Sequence, residues 1–351
     1  MIKPLNLKNE RKIGPGYPCY IIAEIGSNHD GSLEKAKKLI SLAKRSGADA
    51  AKFQSFQAHL LTNLYTKDHG NWVEEPGLEI LKKLSVPAEW HQELAKHAQE
   101  EDIDFLSTPF DLQRLELLNN LDMPLIKISS GDLTNKEFLI AAAKLNKPIV
   151  ISTGAAFLGE VEQAIMVLQM HGAKDIAVLQ CVSCYPTSFP QANIFAMKTM
   201  QITFQVIVGY SDHTPGIVVP LGAVALGASI IEKHFTDDKT LTGPDHPHSL
   251  EPDEFLSMVR SIRELELALG NGIKRPVPEE MEERVMARRA LYANADIKMG
   301  DVLTKEMVKI VRHAFQEGIP AADLNSIIGR TATKDIKEHE LFALEFFKNE
   351  S

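Results

Sequence analysis

Cysteine is scarce, with only Cys19, Cys181 and Cys184 among 351 residues, too few for a disulfide framework. Apolar runs are short, and none approaches the ~18 residues of a membrane span. Basic residues are outnumbered, 38 Lys+Arg against 47 Asp+Glu for a formal charge of -9. That balance argues against a general binder of nucleic acid or membrane surfaces. The opening MIKPLNLKNERK lacks the apolar stretch of a secretory signal, so a cytoplasmic protein is expected. A Gly-rich dinucleotide fingerprint, a P-loop, HExxH and GxSxG are all missing. Cys181-Val-Ser-Cys184 is a lone CxxC without a second pair, weak ground for zinc or redox chemistry. What is left is an ordinary globular composition, 44% hydrophobic and 24% charged, long enough for two domains of ~100–200 residues.

Short apolar runs recur at 19–26, 50–54, 104–110, 124–131, 148–154, 176–183, 206–213 and 229–235. Nearly continuous apolarity, rather than strict alternation, marks strands buried on both faces. Helical spacing fills the intervals. Ser32 can cap a helix carrying Leu33, Ala36, Leu39, Ile40 and Ala43 and stopping at Gly47. Phe255, Met258, Val259, Ile262, Leu265 and Leu269 repeat the pattern before Gly270. The stretch 216–228 is apolar almost all round and is expected to be deeply buried. Strand–helix alternation implies parallel strands with right-handed crossovers, and eight units over about 250 residues suit a (β/α)8 barrel.

The connection 54–87 is long enough to be a lid, though a plain surface excursion fits as well. The charged, Pro-containing residues 276–290 read as a linker between a barrel domain over 1–275 and a small domain over 291–351.

In such a barrel the active site lies at the carboxyl ends of the strands. Those ends hold Glu24, Lys52 with Gln54, Thr108, Lys127 with Ser130 and Asp132, and Ser152 with Thr153. They also hold Ser183, Ser211 with Asp212 and His213, and Glu232 with His234. A lysine inside an apolar strand costs several kcal/mol if charged and unpaired. Lys52 and Lys127 are therefore a buried ion pair, for instance with Glu24, or a cationic clamp for phosphate and carboxylate, or Schiff-base lysines. Two lysines facing several hydroxyls suit anion binding best. His213 and His234 end successive strands and can share a divalent ion, or are simply two satisfied histidines. His246-Pro-His248 could ligate metal, but it sits in a Gly-Pro turn region and reads better as a solvated loop.

Together, 23-AEIGSNHDGS-32, 51-AKFQ-54, 105-FLSTPF-110, 126-IKISSGD-132, 151-ISTG-154, 209-GYSDHT-214, 231-IEKHF-235 and 243-GPDH-246 resemble the sialic-acid (nonulosonate) synthase family. The tail's 296-DIKMGD-301 is similar to that family's antifreeze-like (SAF, β-clip) domain. The resemblance implies a (β/α)8 TIM barrel followed by a SAF domain. It also implies condensation of phosphoenolpyruvate with an N-acylated hexosamine.

Carried over residue by residue, the phosphoenolpyruvate contacts fall on Lys52, Lys127, Ser130, Ser152 and Ser211. Ser183 stands among them where some members have asparagine. The implied metal ligands are His213 and His234, with Mn2+ expected and Mg2+ or Co2+ as alternatives; Glu24 matches a catalytic acid. Gln54, Thr108, Tyr185 and Asp245 match sugar contacts, as does Asp132 where several members have glutamate. Arg312 matches an arginine that reaches the sugar from a partner chain's tail, which implies a domain-swapped homodimer.

The sequence favours N-acetylmannosamine as the sugar and leaves a 2,4-diacetamido-trideoxyhexose or a 6-phosphorylated sugar open. Two readings outside this class are a pyruvate aldolase using Lys127 and a carbohydrate- or ice-binding module.

Overall fold

All eight expected runs are strands: β1 (Tyr20–Gly26), β2 (Ala50–Ser55), β3 (Asp104–Pro109), β4 (Ile126–Ile128), β5 (Ile149–Ser152), β6 (Ile176–Cys181), β7 (Ile207–Asp212) and β8 (Ile230–His234). Every ladder is parallel, in the order β3-β2-β1-β8-β7-β6-β5-β4. Because β1 pairs with β8, the sheet curls into a (β/α)8 barrel whose remaining neighbours, β3 and β4, touch without a ladder. The computed structural model describes residues 2–8, 10–69, 71–312 and 317–348. It divides the chain into two units, Met1–Gly270 and Asn271–Ser351.

Period-two alternation sorts every strand between two cores. Ile21, Ala23, Ala51, Phe53, Ile149, Ile151 and Val208 face outward and pack against the helices. Tyr20, Ile22, Ala50, Val150, Ala177, Leu179, Ile207 and Ile230 form the second, interior cluster. Continuing along that inward parity, the apolar residues give way to Glu24, Lys52, Ser152, Ser211 and Glu232, which line a cavity at the carboxyl ends. The amino-terminal pair Leu5–Asn6 and Lys12–Ile13 closes the other end, with Leu5, Leu7 and Ile13 packed into the interior cluster.

The helices follow their sequence signals. Ser32 accepts a hydrogen bond from the Lys35 amide and caps the helix Leu33–Arg45, which buries Ala36, Leu39, Ile40 and Ala43. The helix Pro252–Leu269 buries Phe255, Met258, Val259 and Ile262, while Leu269 is exposed.

One expectation fails. Only Val218–Ala225 of the apolar stretch is helical, and it buries one face, leaving Val218 69% exposed. Uniform apolarity marks where burial is allowed, not where a neighbour exists. The segment read as a linker contains a helix, Glu280–Ala287, with no buried residue. Its Glu/Met/Arg/Ala composition has high helix propensity, which the charge pattern had masked.

Parity also removes Asp212 and Thr153 from the mouth. Thr153 Oγ1 donates to the Leu179 carbonyl at 2.9 Å. Asp212 and Lys233 lie on the outward face of β7 and β8, 0% exposed and 2.6 Å apart. Asp212→Ala would strand the Lys233 ammonium and should cost about 3–5 kcal/mol of unfolding free energy, read by chemical denaturation. A loss below ~1 kcal/mol would show that the pair holds nothing together.

The second unit has its own core of Leu291, Ile297, Leu303, Ile319, Ile336, Phe342 and Phe347. Antiparallel strands Arg289–Ala293 and Val308–Arg312 frame it.

Candidate active site

A cavity of about 520 Å3 opens at the carboxyl ends of the barrel strands. It gathers Glu24 from β1, Lys52 and Gln54 from β2 and Thr108 from β3. Across from them stand Lys127 from β4, Ser130 and Asp132 after it, Ser152 from β5, and Ser183 and Tyr185 beyond β6. Ser211, His213 and His234 complete the ring from β7 and β8. The long connection after β2 sends Leu60 and Leu61 to the rim, so part of it covers the site. A larger cavity of about 710 Å3 lies at the opposite end. There the opposed charges satisfy one another, as in Arg11 with Asp49 and Lys44 with Asp102.

The buried ion pair considered for Lys52 is present, and the lysine still lines the cavity. Lys52 Nζ sits 2.6 Å from Glu24 and 3.5 Å from Glu232, and donates to Thr108 Oγ1 at 3.1 Å. Lys127 Nζ donates to Ser152 Oγ at 2.6 Å and lies 3.8 Å from Glu232. Glu232 therefore sits between both ammonium groups and accepts from Ser211 Oγ at 3.0 Å. Gln54 donates to Glu24 at 2.7 Å, so in this state Gln54 and Thr108 hold charged residues in place.

The two carboxylates are pushed apart in acidity. Burial raises both, but Lys127 and Lys52 outweigh it at Glu232 and hold that group at about 2. At Glu24 burial prevails over Lys52, helped by the Glu232 charge, and raises the group to about 7. Two neighbouring acids with opposite shifts are the pattern that assigns acid–base roles. Glu232 stays a fixed anion, and Glu24 can exchange a proton near neutrality.

The histidines face the lysines. His213 Nδ1 bonds the Val182 carbonyl at 2.8 Å, which makes Nδ1 the donor and leaves the Nε2 lone pair available. His234 Nδ1 is buried without a hydrogen-bond partner, and its ring centroid lies 5.4 Å from that of His213. Burial lowers both, His234 to about 3 against the opposing pull of Asp245. Neutral imidazoles with a free nitrogen are what a divalent ion needs, so the donor set fits a metal.

Asp245 lines no wall of the cavity but lies behind it. Its Oδ2 accepts from the Ser27 amide at 3.0 Å and Ser27 Oγ at 2.8 Å. A Cβ on Gly26 would come within 2.6 Å of that oxygen at φ +54, so only glycine lets the carboxylate approach. Arg312 belongs to the second unit, where it is exposed and in register with Arg289.

Two residues escaped the sequence reading of the site. Glu232 was placed at a strand end but given no role, although it shares inward parity with His234 two positions on. His248 was assigned to a solvated loop, and this is corrected: His246 is 0% and His248 8% exposed. The loop after β8 folds back, with the Leu250 amide donating to the His234 carbonyl at 2.8 Å, and this return carries His248 to His234. No periodicity announces it.

Sequence profiles match residues 39–274 to the NeuB family and residues 288–347 to the SAF domain. N,N'-diacetyllegionaminic acid synthase of Campylobacter jejuni subsp. jejuni serotype O:2 is 44% identical over 92% of this chain and 98% of its own. Human N-acetylneuraminate-9-phosphate synthase is 35% identical over 98% of this chain and 97% of its own. Among solved structures, N-acetylneuraminic acid (sialic acid) synthetase from Leptospira borgpetersenii serovar Hardjo-bovis, in complex with citrate, superposes with a TM-score of 0.75. It is 34% identical and covers 81% of this chain and 96% of that one. The chain belongs to the NeuB family.

Proposed function

We propose that the chain condenses phosphoenolpyruvate with an N-acylated amino hexose and water, releasing a nonulosonic acid and inorganic phosphate. The observation that carries this is the pair Lys52 and Lys127, ringed by Ser130, Ser152, Ser183 and Ser211, opposite His213 and His234 in one cavity. The lysines and hydroxyls bind the phosphate and carboxylate through charge-assisted hydrogen bonds. A divalent ion held by His213 and His234, Mn2+ before Mg2+ or Co2+, would supply Lewis-acid polarisation of the open-chain sugar's aldehyde. Carbon 3 of the enol phosphate attacks that aldehyde carbon, and water adds at carbon 2. Glu24 takes the water's proton, and phosphate leaves with cleavage of its bond to carbon 2. Holding both substrates side by side supplies several kcal/mol of the barrier. Gln54, Thr108, Asp132 and Tyr185 orient the sugar, with Asp245 acting from behind the cavity wall. Arg312 of a second copy reaches its N-acyl group in a cytoplasmic, tail-exchanged homodimer.

For the sugar, one observation favours a 2,4-diacetamido-trideoxyhexose over N-acetylmannosamine: 44% identity to a diacetyllegionaminate synthase against 34% to an N-acetylneuraminic acid synthetase. Phosphate release from phosphoenolpyruvate with Mn2+ and each sugar in turn tests both readings. Turnover of neither, with borohydride trapping of pyruvate on Lys127, would replace the condensation by aldolase chemistry.

Lys52→Ala should raise the KM for phosphoenolpyruvate about ten- to a hundredfold, the worth of one hydrogen bond to a charged group. An unchanged KM would defeat the clamp.

A further inference from the structure

The metal reading above rests on two imidazoles, yet the fold brings another imidazole and a carboxylate to one of them, His234. One donor atom from each of His234, Asp245 and His248 lies within 4.8 Å of the others. First-row ions hold nitrogen and oxygen ligands at about 2.0–2.2 Å, so ligands of one ion stand no more than about twice that apart. The spacing therefore suits one centre after a small contraction. His248 Nε2 is buried with no hydrogen-bond partner, as is His234 Nδ1. Such orphaned atoms are uncommon in folded proteins and call for an explanation. Asp245 Oδ1 lies 3.9 Å from His248 Nε2, and Oδ2 lies 3.9 Å from His234 Nδ1. One carboxylate thus stands between two lone nitrogens.

We infer that His248 is a direct ligand of the ion held by His234, with Asp245 as the carboxylate ligand and His213 alongside. This rests on the proposed metal role of His234 and extends it to a residue with no assigned function. A set of two imidazoles and one carboxylate, with His213 nearby, has a chemical consequence. It discriminates against Mg2+, which takes oxygen ligands and keeps its waters, in favour of transition ions that accept imidazole.

The test uses the full chain, stripped with chelator and titrated with Co2+, reading the dissociation constant and the visible d–d bands. His248→Ala removes the nitrogen. His248→Phe also removes it but keeps a ring against Tyr185 and His234, whose centroids lie 5.3 Å and 4.6 Å from that of His248. Both variants should bind Co2+ at least about tenfold more weakly, the lower end of what losing even an outer partner costs, with altered bands. His248→Phe binding Co2+ with the parent's constant and spectrum would reduce His248 to ring packing and overturn this inference alone. A parent that takes up no Co2+ would overturn it together with the metal reading. Melting curves of the stripped proteins separate loss of a ligand from loss of fold, and the phenylalanine variant decides if the alanine variant unfolds.

Discussion

Glu24→Gln should lower kcat about a hundred- to ten-thousandfold, the range a positioned proton acceptor contributes. It should also flatten the pH profile. Glu24 is raised to about 7, and a base acts only when ionised. The parent's kcat/KM should therefore rise with pH through about 7 and level off above it. Glutamine keeps the shape and the hydrogen bond from Gln54 but neither gains nor loses a proton, so the rise through neutrality should vanish. Phosphate release measured across pH 5.5–9 reads both effects. A variant that keeps the parent's rise would move the titrating group elsewhere and take the base role from Glu24.

His234→Ala should lower turnover on the order of a thousandfold or more, since Lewis-acid polarisation is worth several kcal/mol of the barrier. His234 belongs to every plausible ligand set, through its 5.4 Å approach to His213 and its place beside Asp245 and His248. Chelation of the parent should give the same loss, reversed by Mn2+. The fold should survive, because His234 lines the cavity rather than bridging helices and barrel. Full turnover after exhaustive chelation would exclude a metal from the reaction.

Much of this was legible in the sequence because a barrel strand is a local object. The runs at 19–26 and 229–235 declare themselves by apolarity, and their ends by the sudden appearance of Glu24, Glu232 and His234. The family likeness named most of the cavity's residues. What stayed hidden depends on parity and on return paths. Asp212 and Ser211 are neighbours in sequence, but a strand turns them to opposite faces, and only knowledge of which face is inward separates a buried ion pair from a substrate contact. Lys52 offered three readings because its chemistry depends on distances to Glu24 and Glu232, which arrive from strands far away in the chain. His248 was legible as a histidine able to ligate metal, but its turn context pointed to solvent. Its place follows from the backbone after β8 doubling back onto Leu250, and no pattern of residue types encodes that pairing visibly.

The polar opening segment looks dispensable in sequence, yet Leu5, Leu7 and Ile13 pack into the barrel's interior core. They act as a stopper. Solvent entering from below would hydrate the layer containing Lys52, Lys127 and Glu232, raise its effective dielectric and weaken every interaction there. The acidity of Glu24, fixed chiefly by dryness, would relax toward that of an ordinary glutamate. The proton chemistry at the top of the barrel thus depends on a seal at the bottom, formed by residues that never meet a substrate.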